Sequence, residues 1–324
     1  MLKYIIKRIL ILIPVIIIIS IILFAISKLM PGDPVRAMLP LTLRPEQYDR
    51  AYQAMYLRLG LDRSIVEQYF RWIYNIIFLG EFGYSSMLNR PVTDAIAIPL
   101  RNTIIMNVFT NFFYLAIALP VSIRMAVKRG SIFDNTIQVA SLATYSIPSF
   151  FLGLLLIFLF AVRLAWLPMG GMPNTIMLGT GETIAAWTRH LILPVATLTL
   201  VALASALRYF RNAMIDALSQ DYIRTARSKG LSEKVVIYSH ALRNAMIPIS
   251  TIIVFTLFGL FIGAPLTESV FAYNGFGRLL LQGIAARDTM LITTQALFYS
   301  MTSVSSVLAA DIIYGLVDPR IKLK

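Results

Sequence analysis

The chain has 324 residues, 58% hydrophobic and only 14% charged, with a formal net charge of +13 and no cysteine. A soluble domain is closer to half apolar and a quarter charged, so water is not the main solvent here, and the missing thiols exclude disulfide scaffolds, thiolate zinc sites and cysteine nucleophiles. His190 and His240 are the only histidines, which argues against a histidine-rich metal site, and the positive charge lies between apolar runs rather than on a basic nucleic-acid-binding domain.

A bilayer core is crossed by about 20 mainly apolar residues in a helix. The first such run extends from Ile9 to Leu29, behind Lys3, Lys7 and Arg8. It is too long for a signal peptide and is followed by Met30-Pro31-Gly32-Asp33-Pro34 rather than a small-residue cleavage site, so it reads as a retained span. The segment 31–102 comes next and is large enough for a small subdomain outside the membrane. Within it Ile65, Val66, Tyr69, Phe70, Ile73, Ile76 and Ile77 recur at helical spacing around Glu67, Arg71 and Asn75, which predicts an amphipathic helix. That helix either packs on the outer ends of the spans or meets a docking partner.

Further spans are predicted at Thr103 to Val127, Thr136 to Val162, His190 to Phe210, Ala245 to Thr267 and Thr289 to Val317, making six. Pro120, Pro148, Pro194, Pro248 and Pro265 fall within or at the ends of these runs, where neighbouring helices or water can satisfy the freed carbonyls. Lys and Arg weighed against Asp and Glu give net +11 for the segments on the N-terminal side and +2 for those on the other. By the positive-inside rule both termini face the cytoplasm. The expected organisation is 1–30 for the N-terminus and first span, 31–102 for an extracytoplasmic subdomain, 103–317 for a five-helix core containing a cytoplasmic segment at 212–244, and 318–324 for a cytoplasmic tail. No internal repeat or low-complexity tract is apparent.

The cytoplasmic segment between the fourth and fifth spans is the most informative. It reads Asp221-Tyr-Ile-Arg-Thr-Ala-Arg-Ser-Lys-Gly230, then Leu231-Ser-Glu, and continues to His240-Ala-Leu-Arg-Asn-Ala-Met-Ile-Pro248. Gly230 suits a helix C-terminus and Ser232 the N-cap of a following helix, which predicts two short helices meeting at an angle. Tyr222, Ile223, Ala226 and Leu231 would offer apolar contacts, with Arg224, Arg227 and Lys229 around them. On the residues alone, such a basic pair is more often a surface facing lipid headgroups than a protein socket.

The segment resembles the coupling motif of ABC importer permeases: Glu-Ala-Ala, three residues, Gly, nine residues, Ile, one residue, Leu-Pro. Aligned on Gly230, Ala226 and Leu242 match, while Arg224, Thr225, His240 and Arg243 depart from it. Arg224-Thr-Ala, the glycine and His240-Ala-Leu-Arg-Asn-Ala resemble the oligopeptide, dipeptide and nickel branch. Resemblance to that branch extends through Pro31-Gly32-Asp33-Pro34, Gly60-Leu61-Asp62, Gln68-Tyr69 with Trp72, and Gly80 to Ser85. It continues at Ile147-Pro148-Ser149-Phe150, Leu167-Pro168, Gly275-Phe276-Gly277-Arg278 and Asp318-Pro319-Arg320. The long segment after the first span is similar to the first of the two paired permease subunits.

This resemblance implies an all-α integral membrane protein of the type I importer permease fold in a prokaryotic cytoplasmic membrane. It implies as partners a homologous second permease, two ABC ATPase subunits and an extracytoplasmic substrate-binding protein. It also implies an ATPase contact at Tyr222, Ile223, Arg224, Thr225, Ala226, Arg227, Lys229, Gly230 and Leu231. No Gly-four residues-Gly-Lys-Ser/Thr loop is present, so ATP and Mg are expected on the partner ATPases, with no cofactor and no catalytic residue in this chain. The cargo implied is an oligopeptide or dipeptide, with nickel chelates or another small solute as the alternative.

Polar residues in spans are costly in lipid and therefore candidates for lining a path. Asn107, Asn111, Ser141, Thr144, Tyr145, Ser149, Thr197, Thr199, Thr256, Gln295 and Asp311 qualify, with helix-to-helix hydrogen bonding as the competing role. Asp311 either serves the path, reaches the cytoplasmic interface or pairs with Arg or Lys there. The same polar residues would suit a secondary transporter or channel. An intramembrane enzyme lacks support, because no His-Glu-two residues-His motif is present.

Overall fold

The computed structural model describes residues 2–30, 33–39, 42, 44–174 and 179–317. Pro31, Gly32 and the expected tail at 318–324, with its Asp318-Pro319-Arg320, lie outside the described residues.

Helix α1 (Leu2–Leu29) is followed by three helices outside the long spans: α2 (Pro34–Met38), α3 (Pro45–Arg58) and α4 (Ile65–Tyr74), the last running on as a π-helical turn over Asn75–Leu79. Asp33 starts α2 by accepting the amides of Val35 and Arg36 at 2.9 and 3.3 Å, and Ser64 starts α4 by accepting that of Glu67. These caps satisfy donors that a first helical turn leaves free. The amphipathic helix expected from Ile65 onward is therefore present. A small antiparallel hairpin, β1 (Tyr84–Ser85) with β2 (Arg90–Pro91), leads into α5 (Val92–Val127).

The third expected span is not one rod. Its residues form α6 (Ile132–Ser146) and α7 (Ser149–Leu156), with a π-helical end at Ile157–Arg163, and the two parts bend by 103°. Pro148 explains the break: a residue before proline is pushed out of helical conformation, and Ile147 is extended at φ −88°, ψ 125°. Pro120, Pro194 and Pro248 instead lie inside continuous helices.

Next come α8 (Thr180–Leu218) and α9 (Asp221–Ser228). One turn, α10 (Glu233–Val235), passes through a π-helical stretch at Val236–Ala241 into α11 (Leu242–Gly259). The fifth span thus begins at the elbow and ends at Gly259, short of the expected Thr267, which belongs to a separate helix, α12 (Pro265–Val270). Pro265 takes the first position of α12, where its missing N–H costs nothing. Helix α13 (Phe276–Ala286) and the last span, α14 (Thr289–Val317), complete the chain.

Among the described residues, five helices are long and apolar enough to cross a membrane, or six if the bent α6/α7 pair is one span. Their placement differs: the apolar window of α8 is 56% buried and that of α1 only 11%, so α8 is central and α1 peripheral. Helices α5 and α8 make the most extensive helix contact. One apolar cluster joins α5, α8, α9 and α11 through Ile123, Phe210, Met214, Ile223, Val236 and Ile249. A second, around Met106, Leu193, Phe271 and Tyr273, joins α5 and α8 to α12.

Candidate coupling elbow and transport path

The chain turns at Gly230 between α9 and the helix that becomes the fifth span. Gly230 has φ +76°, a left-handed conformation that glycine adopts without the Cβ clash other residues meet. The Gly230 amide donates to the Arg227 carbonyl at 2.9 Å and the Leu231 amide to that of Ala226 at 3.4 Å. This pair of bonds is the Schellman arrangement that closes a helix C-terminus. Ser232 holds the expected N-cap position in extended conformation, but its side chain makes no capping bond. Arg227 on α9 instead clasps Glu233 across the turn, donating from Nε at 2.7 Å and Nη2 at 3.2 Å. The Glu233 carboxylate raises the pKa of the Arg227 guanidinium through these bonds.

The elbow has two faces. Ile223 and Ala226 are buried among Met214, Ala217 and Val236 of the same chain, so two of the four expected apolar contacts serve the protein's own core. The helical period places Tyr222, Arg224, Thr225, Arg227, Lys229 and Leu231 on the exposed side. The second helix of the elbow is not short. It runs unbroken in direction from Glu233 to Gly259, so α9 is joined to a membrane-crossing helix by one left-handed residue and one ion pair.

Most polar residues of the spans are occupied. Asn107 directs its amide at the carbonyls of Gly259, Leu260 and Ile262 at 3.2, 3.0 and 2.9 Å, closing the end of α11. Asn111 donates to the Thr256 carbonyl, and the Thr256 hydroxyl meets Tyr114 Oη at 2.8 Å. These three path candidates bolt α5 to α11, the competing role weighed from sequence. Ser141 is buried, Ser149 accepts from Thr267, and Thr197 bonds to the Leu193 carbonyl of its own helix. Gln295 donates to the Phe276 carbonyl, while the Thr199 hydroxyl is buried with no hydrogen-bond partner among the described residues. Asp311 pairs with Arg8 at 2.9 Å, tying α14 to α1. Thr144 bonds back to Ala140 beside the α6/α7 break. Tyr145 is 59% exposed there, with the Arg208 guanidinium 4.7 Å from its ring centre.

Three carboxylates that enter the charge sum only as loop charges are buried: Asp134, Glu268 and Asp288, the last accepting from the Ser85 hydroxyl and the amides of Met87 and Leu291. Asp134 accepts from Arg211 Nε at 2.6 Å, Arg211 Nη2 at 2.7 Å and the Gly130 amide at 2.9 Å, locking the α5–α6 turn onto α8. Glu268 accepts from the Thr103 hydroxyl at 2.9 Å and from the amides of Ala264 and Arg278 at 3.2 and 2.7 Å. It thereby satisfies the N-terminus of α13 and folds α12 and α13 into a hairpin. The available signals were an acid three residues after Ser131 in a basic turn, and an acid flanked by Gly263, Gly275 and Gly277. Among the described residues no group of His, Cys, Asp and Glu could hold a metal ion.

Residues 118–323 match the family described as binding-protein-dependent transport system inner membrane component, and residues 1–106 match the N-terminal component of the same transport systems. The di/tripeptide transport system permease protein DppB of Pseudomonas aeruginosa (strain UCBPP-PA14) is 34% identical over 338 residues, covering 99% of each chain. The glutathione transport system permease protein GsiC of Escherichia coli (strain K12) is 35% identical over 324 residues and 100% of both chains. A solved chain of the MetNI methionine ABC transporter, in inward facing conformations, aligns with a TM-score of 0.53 at 20% identity, covering 69% of this chain and 96% of that one. That likeness concerns the fold and agrees with the type I permease architecture expected from sequence. The chain belongs to the binding-protein-dependent transport system inner membrane components, as a multi-pass permease of an ABC importer that is not itself an enzyme.

Proposed function

We propose that this chain is the first of two paired permease subunits in an ATP-driven importer of short peptides, with both termini in the cytoplasm. A homologous second permease completes the path, two ATPase subunits carrying ATP and Mg dock at the elbow, and an extracytoplasmic binding protein delivers the cargo. Di- and tripeptides are the favoured cargo, because relatives named for di/tripeptide and glutathione transport match over essentially the whole chain. The excess of Lys and Arg on the N-terminal side supports the orientation.

The observation that carries the reading is the two-faced elbow at Gly230. Its inner face is seated by Ile223 and Ala226 in the apolar cluster shared with α5, α8 and α11, and its outer face is exposed and mainly polar. Because the following helix is continuous into the fifth span, a push on α9 by a closing ATPase pair tilts that span rather than bending a loop. Asn107, Asn111 and Thr256 carry the tilt to α5. Thr144 and Tyr145, at the break in the third span, are the path candidates best placed to meet cargo, since broken helices in membranes line cavities.

The test is Gly230→Val in the complete complex reconstituted into vesicles. A Cβ there would meet no other described residue beyond its chain neighbours within 4 Å, so its cost is the left-handed backbone alone, about 1–2 kcal/mol. Uptake should be lost, and ATP hydrolysis should no longer respond to the binding protein. Wild-type uptake by this variant would overturn the coupling role.

A further inference from the structure

Helix α4 and its π-helical extension, residues 65–79, form a rod with two unlike faces. One face is held against α1. Tyr69 Oη meets the Ser20 hydroxyl at 2.8 Å, and the rings of Tyr69 and Trp72 lie 5.5 and 5.6 Å from that of Phe24. Lys28 donates to Gln68. These contacts bury Ser20 and Phe24 to 3% and 8% exposure, whereas Ile21, Ile22 and Ile26 of α1 remain about half exposed.

The opposite face is apolar and uncovered. Val66 and Phe70 are each 65% exposed, Ile77 is 65% and Phe78 is 70%. Charge is confined to the first half of the rod, at Glu67 and Arg71, and the stretch Trp72 to Leu79 carries none.

Depth decides what covers this face. Ser20 lies nine residues inside the end of α1 at Leu29, or about 13 Å along the helix axis, against a half-thickness of about 15 Å for the hydrocarbon core. These contacts come from a single turn of the rod, Gln68 to Trp72, and they reach down to Ser20, so that turn lies beside the span rather than above it. The chain beyond the rod gives a second measure of depth: the Phe82 carbonyl accepts from Thr294, more than one turn inside α14. A water-soluble partner docking on the outer surface does not reach that level.

We propose that α4 and its extension insert obliquely into one leaflet, with Val66, Phe70, Ile77 and Phe78 against acyl chains and Glu67 and Arg71 near the headgroups. The rod continues the lipid-facing surface of α1, and its occupant is the bilayer rather than a protein. It anchors the subdomain that follows the first span and limits how far that subdomain can swing. This inference goes beyond the transport function and does not depend on the cargo.

The absence of cysteine allows single-site labelling. Phe70→Cys, Ile77→Cys and, as an aqueous reference on the exposed side of α3, Arg50→Cys would each carry a nitrobenzoxadiazole probe. Variants that retain uptake would be examined as the complete complex in phosphatidylcholine vesicles, with a nitroxide on the acyl chain or with iodide in the water. The probes at 70 and 77 should emit at shorter wavelength than the probe at 50, lose emission to the lipid-borne nitroxide and resist iodide. Iodide quenching at 77 equal to that at 50 would place the face in water and overturn the proposal. Protection from both quenchers would mean that a protein subunit covers the face, and would overturn it equally.

Discussion

Asp134 has no exposed side-chain surface and Arg211 only 12%, yet the two meet through paired short hydrogen bonds. A carboxylate removed from water is tolerable only while such partners remain. Arg211→Met is therefore expected to cost about 3 kcal/mol, the range for breaking one side of a buried pair, read as a lowered thermal midpoint in detergent. Asp134→Leu combined with Arg211→Met should recover most of the loss, because replacing both charges removes the desolvation penalty together with the attraction. A double variant no more stable than the single one would show that the α5–α6 turn needs the charges themselves. The Arg227–Glu233 pair contrasts with it: its side chains are 48% and 60% exposed, so water screens it, and its value lies in fixing the angle at Gly230 rather than in stability. Sequence displays both pairs only as isolated charges. What separates them is solvent access, which depends on residues distant in the chain.

At the level of elements, the α12–α13 hairpin shows how close packing constrains a motif seen first as a string of glycines. A Cβ on Gly263 would stand 2.2 Å from the Gly277 amide nitrogen, and one on Gly277 would stand 2.7 Å from that of Pro265. Both obstacles are backbone, so neither moves aside cheaply. Gly263→Ala should destabilise the protein by about 3 kcal/mol, at the upper end for overpacking, and loosen the cap that Glu268 makes on α13. A thermal midpoint equal to wild type would contradict the close approach. The elbow behaves differently, since Gly230 has open space around it and is constrained only by its positive φ. Gly230→Asn should therefore retain more coupling than Gly230→Val, because Asn visits the left-handed region at lower cost; equal loss of uptake in the two would argue against a conformational role. The bend in the third span follows the same division: Ile147-Pro148 is visible in the sequence, but other prolines sit inside unbroken helices, and only the neighbouring helices decide which one breaks a span.

For the whole molecule, the expected sidedness yields a direct measurement. In intact cells a membrane-impermeant thiol reagent should label Asn89→Cys, in the turn between β1 and β2, and spare Lys229→Cys at the elbow, with the reverse in inside-out vesicles. Labelling of Lys229→Cys in intact cells would invert the topology and remove the elbow from the ATPase side. The bundle is closed by contacts between its chain ends, with α1 packed along α14 and Arg8 paired to Asp311. Sequence alone determined the membrane character, the apolar runs, the charge asymmetry and the glycine-turned elbow. Hydropathy, charge and a left-handed turn are properties of consecutive residues, so they survive without knowledge of neighbours. Tertiary structure decided which polar residues are already spent: Asn107, Asn111 and Thr256 hold helices together, Ile223 and Ala226 belong to the core, and Asp134 and Glu268 are buried ties rather than loop charges. A polar side chain in a low-dielectric bundle takes the nearest partner, and which partner is nearest depends on packing among segments distant in the chain, as in the bond from Thr103 to Glu268, 165 residues away.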